Sequence, residues 1–181
     1  MGQVQHLPGR TPQHPPEQGP IPLEEHEDPS EACPLGRDYD GCRLADLTPQ
    51  VVLDTNVFVG AWFNPWSHSA LLLDAVRDGR LRIVWDDATH EEIEHVLRRI
   101  PPLSWEALAE LFRDEDRFNG ETHPDKFGYV PDPTDRKFAA LADAANVPLV
   151  TSDRGLLNAR GEAPFPILKP SEFARSLDTA R

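Results

Sequence analysis

Strand and helix patterns alternate along the chain from residue 51 to its end, and this alternation restricts the fold more than any other feature. The segments 51–53, 81–85, 147–153 and 165–170 contain short apolar runs and are predicted to be strands, and the segments between them read as helices. Strands that alternate with helices at this spacing predict a parallel sheet covered by helices. We therefore expect an α/β protein in which ligands bind beyond the carboxyl ends of the strands.

Capping and breaking residues set the expected ends of the helices. Ser67 can cap one helix that Gly79 closes, and Pro101 stops another. The predicted helices are residues 69–79 with Ser67 as cap, 88–100, 105–118 with Ser104 as cap, 134–146, 154–159 and 171–177 with Ser171 as cap. Two segments are predicted to be loops, the aromatic stretch 60–68 and the Gly-, Pro- and Asp-rich stretch 119–133.

Residues 1–47 have a different composition from the rest. They contain 8 of the 19 prolines and few apolar side chains, so we predict a disordered, acidic tail, followed by one domain at 48–181. Cys33 and Cys42 match no zinc-binding spacing and are predicted to be reduced thiols. Because Met1 is the only methionine, a start codon further along the chain is an alternative explanation of this segment.

The net charge of −13 restricts the function. Broad affinity for nucleic acid depends on Lys and Arg, so such affinity is disfavoured, whereas a small acidic site that reaches one phosphate through metal ions is not. The sequence has neither a signal-peptide pattern nor an apolar run of membrane-spanning length. We predict a cytoplasmic protein without a membrane segment.

Carboxylates stand where two predicted strands end. Asp54 stands at the carboxyl end of the strand 51–53 and Asp153 at the carboxyl end of the strand 147–153, so both fall on the same edge of a parallel sheet. Asp135 lies in the first turn of the helix that leads into the second of these strands. Asp135 has the alternative role of a helix N-terminal acid, and Asp153 that of a turn or cap residue. Asp54 has no such alternative, because a buried carboxylate needs a partner.

The helix 88–100 adds three glutamates near this edge. Glu91 points away from the apolar stripe of the helix, while Glu92 and Glu94 flank that stripe, so periodicity does not choose between the last two. His90 and His95 on the same helix are five residues apart, which fits no zinc-protease motif, and we interpret both as solvated.

Several carboxylates at one edge indicate a site for a hard cation. They repel one another in a low-dielectric environment, and Mg²⁺ and Mn²⁺ prefer oxygen ligands of this kind. A bound cation can orient a phosphodiester, activate the attacking water and stabilise the leaving oxygen. The acid pattern therefore predicts metal-dependent chemistry on phosphates.

Four motifs occur in an order that resembles the PIN domain family, and most of all its bacterial toxin components similar to VapC. They are "VVLDTNVF", "EEIEHVL", "PDPTDRKFAALADAA" and "PLVTSDRGLL", and the resemblance covers about residues 48–173. It implies a three-layer α/β/α fold around a parallel sheet of four to five strands. It also implies an endoribonuclease that depends on Mg²⁺ or Mn²⁺ and acts as the toxin of a type II toxin–antitoxin system.

The resemblance assigns roles to individual residues. The four catalytic and metal-binding acids of the family fall on Asp54, Glu92, Asp135 and Asp153, and residues that support such a site fall on Asn56, Thr151 and Ser152. Arg154 and Arg136 are the predicted RNA contacts, with Arg98, Arg99 and Lys137 as further candidates whose simpler role is surface charge. The implied partners are an RNA substrate, an antitoxin protein and a second copy in a homodimer.

Two other functions stay open at this point. One is a catalytically silent binding or regulatory module with the same fold, and the other is a nuclease that acts on DNA or structured RNA. Trp62, Phe63 and Trp66 are not part of the family pattern. They could stack on bases, but we favour packing or a protein interface, because exposed aromatic clusters more often mark association.

Overall fold

The computed structural model describes residues 48–101 and 103–179, which lie within the compact unit Arg43–Arg181. The predicted disorder of residues 1–47 and the predicted reduced state of Cys33 and Cys42 concern residues outside this described part. No helix in the described ranges is long and apolar enough to cross a membrane.

Among the described residues, four parallel strands form the central sheet, in the order β2-β1-β3-β4. They are β1 (Gln50–Leu53), β2 (Arg82–Ile83), β3 (Leu149–Val150) and β4 (Ile167–Leu168). In β1, Val51 pairs with Ile83 of β2, while Leu53 pairs with Val150 of β3. The prediction of a parallel α/β sheet is confirmed, and β1 occupies a central position with its residues 51–53 at most 1% exposed.

In the part of the chain that the structure describes, seven α-helices surround this sheet. They are α1 (Thr55–Phe63), α2 (His68–Arg77), α3 (Asp87–Arg98), α4 (Glu106–Ala109), α5 (Arg136–Ala145), α6 (Arg154–Asn158) and α7 (Pro170–Thr179) among the described residues. Helix α5 packs on β1 and β3, and α2 packs against α1 and α7. This arrangement is the expected α/β/α fold.

Local chemistry explains where several helices begin and end. The Ser67 side chain accepts the N–H of Ala70 at 3.2 Å and caps α2, as the sequence predicted. Gly79 closes that helix with a φ of 71°, a conformation that only glycine adopts without strain. Asn146 ends α5 with a φ of 53° in the left-handed region, which asparagine tolerates better than most residues.

The aromatic segment 60–68 is not the predicted loop, because its first part belongs to α1. Val57, Phe58 and Ala61 are buried, and apolar residues follow one another around this helix, so its sequence shows no single apolar stripe. The absence of that stripe concealed the helix. Trp62 and Phe63 therefore sit on its last turn, and only the residues after them form a loop.

The predicted helix 105–118 is also wrong, since α4 covers only four of its residues. Ser104 does not cap a helix, and its hydroxyl contacts Glu106 instead. The rest of the segment bends into a 3₁₀ turn at Asp114–Asp116, where buried Asp116 forms an ion pair with Arg82 of β2. This tertiary contact overrides the helix propensity of the segment. A second 3₁₀ turn, Pro124–Phe127, lies within the predicted loop 119–133.

The prediction that both histidines of α3 are solvated is wrong for His90, which packs in an aromatic cluster. The ring of His90 lies 5.0–5.1 Å from the ring centroids of Trp85, Trp105 and Phe112. His95 is exposed, as predicted. The His90 ring is therefore part of the packing between α3 and the segment that follows it.

Candidate active site

The carboxylate of Asp54 lies at the carboxyl end of β1, where the chain turns into α1. Its N–H extends the sheet by donating to the carbonyl of Val150 at 3.0 Å, and the residue then adopts an extended conformation before the helix begins. The residue is only 4% exposed, which places a carboxylate almost entirely out of water. A buried acid in this position needs hydrogen bonds or a cation to remain ionised.

Two side chains hold one oxygen of this carboxylate. The hydroxyl of Thr151, which is fully buried, and the side-chain amide of Asn56 both donate to Asp54 Oδ2 at 2.5 Å. Asn56 Oδ1 in turn accepts the N–H of Ser152 at 2.9 Å, and Thr151 Oγ1 accepts the N–H of Asp153 at 2.8 Å. The chain segments that follow β1 and β3 are thus fixed to each other at the sheet edge.

Asp135 lies at the start of α5, but it does not cap that helix. It has a helical backbone conformation, and its side chain makes no capping hydrogen bond. The capping chemistry of this segment belongs to Asp132, whose Oδ1 accepts the N–H of Thr134 at 2.9 Å and also its hydroxyl. The cap role therefore belongs to Asp132, and Asp135 keeps both predicted roles, that of an acid at the N-terminal end of the helix and that of a site carboxylate.

Glu92 and Glu94 point in different directions on α3. Glu92 Oε2 forms an ion pair with Lys137 of α5 at 2.7 Å, whereas Glu94 forms one with Arg98 on its own helix. Since Lys137 lies two residues after Asp135, the Glu92 side chain is directed towards the start of α5. Glu91 is exposed. The contacts thus distinguish the two glutamates that periodicity left undecided.

Asp153 caps a helix and also contributes charge to the sheet edge. Its Oδ1 accepts the N–H of Leu156 at 3.0 Å, so the cap role that the sequence offered is confirmed. The charge of Asp153 also raises the pKa of Asp54, which shows that the two carboxylates interact.

Burial and mutual repulsion shift two of these carboxyl groups. Burial is the main reason that the pKa of Asp54 is raised to about 6. The pKa of Asp135 is raised to about 7, first by burial and then by the negative charges of Asp54, Asp132, Asp153 and Glu92. The four predicted acids therefore share one electrostatic environment, and a cation there would relieve their repulsion.

The donor set fits a hard divalent cation, although it is not a closed cage. Among residues 48–101 and 103–179, no three acidic, His or Cys side chains stand together as a complete metal site. Mg²⁺ is commonly held by only one or two carboxylates, with waters and substrate phosphate oxygens completing its shell. Asp54, Asp135 and Asp153 are carboxylates of this kind, and the repulsion between them is the observation that favours a cation near them.

Comparisons with known proteins agree with this fold. A PIN domain family model matches residues 50–155, which is more than half of the chain. The chain belongs to the PIN domain family. PIN domains have a nuclease-type fold, and members of the family typically use divalent metals. None of the curated proteins compared with the chain matches it.

One solved structure similar to this PIN domain is "Crystal Structure of PAE2754 from Pyrobaculum aerophilum". The two chains are 16% identical, the match covers 74% of this chain and 98% of that one, and the TM-score is 0.45.

The basic residues near the site of this PIN domain differ in availability. Arg154 directly follows Asp153, is exposed, and has no ion pair or hydrogen bond from its side chain within the described residues. Arg136 donates to the carbonyl of Val130 at 3.0 Å and so holds the segment before α5. Arg98 is paired with Glu94 and Glu106, which supports its simpler role as surface charge.

One residue at this site was missed from the sequence. Thr55 follows Asp54 at the start of α1, and its buried hydroxyl oxygen makes no hydrogen bond with any described residue. A buried polar atom without a partner is unusual in a native protein. No sequence pattern points to this residue, because Thr fits equally well at the exposed start of a helix.

We expect Thr55→Val to stabilise the protein by about 1 kcal/mol, because the change removes a buried hydroxyl that gains no hydrogen bond. The matched control is Thr89→Val. The Thr89 hydroxyl is part of the capping box with Asp86, so its loss should destabilise the protein by about 1–2 kcal/mol. Urea unfolding of both variants measures the two effects. Equal losses of stability would mean that the Thr55 hydroxyl has a partner in solution.

Proposed function

We propose that this PIN domain is an endoribonuclease that depends on Mg²⁺ or Mn²⁺ and hydrolyses RNA phosphodiester bonds. The observation that carries the proposal is the Asp54 carboxylate, which is buried at the sheet edge, held by Thr151 and Asn56, and exposed to the repulsion of a second acid. Folding places an unfavourable negative charge at a fixed point, an arrangement that function explains better than stability does.

The residues have separate roles in this proposal. Asp54 would hold the cation with Asp135 or Asp153, and Glu92 would add charge at the edge of the site. A bound divalent ion supplies the lowered pKa of the attacking water and stabilises charge on the leaving oxygen. Thr151 and Asn56 fix the direction of the Asp54 carboxylate, and Lys137 orients Glu92. Exposed Arg154 is available for a phosphate of the substrate.

The finer proposal is a cytoplasmic toxin of a type II toxin–antitoxin system. An acidic centre of this kind would accept a basic side chain from an antitoxin in place of a cation. The partner surface we propose is the apolar patch made by Trp62, Phe63, Trp66 and Leu71, whose exposures are 38%, 63%, 92% and 54%. Large exposed apolar side chains in one stretch of chain favour an interface with an antitoxin or with a second copy.

A second candidate is a PIN-fold binding module without turnover. The observation in its favour is that no three potential metal ligands within the described ranges form a ready-made site. The ion pair between Glu92 and Lys137 points the same way, because it engages one of the four acids. A module of this kind would bind a partner protein through these acids, without a bound metal ion and without cleaving RNA.

The experiment that separates these candidates is cleavage of a labelled panel. It contains single-stranded RNA, structured RNA and single-stranded DNA, each with Mn²⁺, Mg²⁺ or EDTA. We expect metal-dependent cleavage of single-stranded RNA by the full chain. Glu92→Gln should reduce the rate roughly 10–100-fold, the usual effect of a residue that supports a metal site. Glu91→Gln, an exposed neighbour on the same helix, is the matched control and should leave the rate unchanged.

Other outcomes would redirect the proposal. Cleavage of DNA or structured RNA in preference to single-stranded RNA would make the protein a nuclease of a different substrate class. Equal cleavage by wild type and both variants in EDTA would indicate a contaminant. An absence of cleavage in every condition, with tight binding of a protein partner, would favour the binding module.

A further inference from the structure

A cavity of about 310 Å³ adjoins the carboxylate site. It lies between the starts of α2 and α7 and the segment after β3, with Leu157 and Pro170 in its wall and six polar lining residues, Ser67, His68, Ser69, Ser152, Lys169 and Ser171. Ser152 connects the two regions, because its N–H binds the Asn56 side chain that holds Asp54. The cavity therefore begins one residue from Asp153.

The charge of this cavity is opposite to that of the protein. The chain has a net charge of −13, yet none of the cavity's lining residues is acidic, and they include Lys169 and His68. The acid next to Lys169 in space is Glu172, which is also paired with Arg160. Four serine hydroxyls complete the polar lining. A wall of hydroxyls with one lysine ammonium group is suited to an oxyanion.

One lining side chain lacks a partner. Ser69 is only 7% exposed, and its hydroxyl makes no hydrogen bond with any residue that the structure describes. The Ser69 oxygen is not one of the fully buried atoms that lack a partner, so it keeps contact with the space in front of it. A nine-tenths-buried side chain whose hydroxyl opens only to the cavity places a fixed hydrogen-bonding group in the cavity wall.

Backbone groups at the start of α2 add to this chemistry. Ser67 Oγ accepts the N–H of Ala70, but the N–H groups of His68 and Ser69 have no acceptor in the described part of the chain. Helix α2 has ten residues, so its N-terminal end carries a partial positive charge. Unpaired N–H groups and this dipole both favour an anion beside Ser69.

We infer that this cavity is a subsite for a phosphodiester of single-stranded RNA, one step along the strand from the phosphate at Asp54. The inference rests on the proposed function, and it supplies what the acidic centre lacks. Affinity for a nucleic-acid strand comes mainly from contacts to its phosphates, and carboxylates repel those phosphates. A basic, hydroxyl-lined cavity beside the acids provides such a contact and fixes the register of the strand.

Lys169→Gln should weaken RNA binding about 3–10-fold and raise KM by a similar factor with little change in kcat, because the contact is made equally before and during the reaction. The slope of log affinity against log salt should fall by about 0.7, the value for one phosphate contact on a single strand. Arg77→Gln is the matched control. It removes the same charge at the opposite end of α2 and should change neither quantity.

The direct test does not require cleavage. The full chain in metal-free buffer is titrated with the dinucleoside monophosphate UpU, and backbone amide signals are followed by NMR. We expect shifts at Ser69, Ser152 and Ser171 that weaken at least 3-fold in Lys169→Gln and in Ser69→Ala. Unchanged signals in the cavity at saturating UpU, or equal affinity in both variants, would overturn the inference.

A second titration distinguishes an internal phosphodiester of the strand from a terminal phosphate group. UpU carrying a 5′-monophosphate should bind no more than about 3-fold more tightly than UpU, since the site is inferred to take an internal phosphodiester. A gain of 10-fold or more would show that the cavity selects a terminal phosphate and would overturn the assignment. Because neither arm depends on turnover, failure of the nuclease proposal in the cleavage panel remains distinguishable from failure of this subsite.

Discussion

Asp54→Asn should lower metal-dependent RNA cleavage by about 10³-fold or more, while making the metal-free protein more stable. The rate falls because an amide is a poor ligand for a hard cation, and a cation of this kind supplies several kcal/mol of charge stabilisation in the transition state. The fold survives because the amide oxygen can still accept hydrogen bonds from Thr151 and Asn56.

The gain in stability follows from the same buried charge. A pKa raised from 3.8 to about 6 means that ionised Asp54 destabilises the folded protein by about 3 kcal/mol at pH 8. Removing the charge should raise Tm by roughly 5–10 °C for a domain of this size. The measurements are single-turnover cleavage and a thermal melt in EDTA. Asp74→Asn, an exposed acid on α2, is the control and should change neither. A fully active or a less stable Asp54→Asn protein would contradict the account.

The metal-free protein should become less stable as the pH rises from about 5 to 8, and a divalent cation should reverse this loss. Burial and neighbouring charges raise the pKa of Asp54 to about 6 and that of Asp135 to about 7 in the folded protein, against 3.8 for an ordinary aspartate. The folded chain therefore binds more protons than the unfolded chain in this window, and stability is lost as these protons leave. Asp116, whose pKa is also raised by burial, contributes with the same sign.

Adding a divalent cation tests whether the proposed site causes this dependence of stability on pH. At pH 8, Mn²⁺ at 100 times its dissociation constant should stabilise the folded protein by about 2.7 kcal/mol. The pH dependence should also become smaller, since the ion binds the ionised carboxylates. Asp54→Asn should lose most of the response to Mn²⁺ and part of the response to pH. Equal Tm shifts for wild type and variant would place the bound ions elsewhere.

The order of strands and helices could be predicted because each strand has its own short apolar run. The position of Asp54 followed from the same pattern, since a carboxylate directly after a buried strand had no structural role to explain it. The two errors in the fold have one cause. Helix α1 has no single apolar stripe, and the segment after α4 is bent by the ion pair of Asp116 with Arg82. Both depend on tertiary packing, which local patterns do not contain.

At the site, too, the sequence pattern predicts the positions of residues along the chain but not the contacts of their side chains. Sequence placed Asp54 and Asp153 at one edge, but only side-chain directions separate Glu92 from Glu94 through their contacts with Lys137 and Arg98. The cavity beside Ser152 was missed altogether. Its lining comes from three distant parts of the chain, and no one of these segments has a recognisable phosphate-binding motif.

A crystal of the full chain soaked in Mn²⁺, with anomalous scattering measured to locate the ion, shows whether Asp54 holds a cation. We expect a peak about 2.0–2.2 Å from a carboxylate oxygen of Asp54, with Asp135 or Asp153 as a second ligand and waters at the other positions. The same soak of Asp54→Asn crystals should show no peak there. A wild-type crystal with Mn²⁺ bound only at surface acids, and nothing at Asp54, would contradict the metal-dependent site on which the proposed ribonuclease rests.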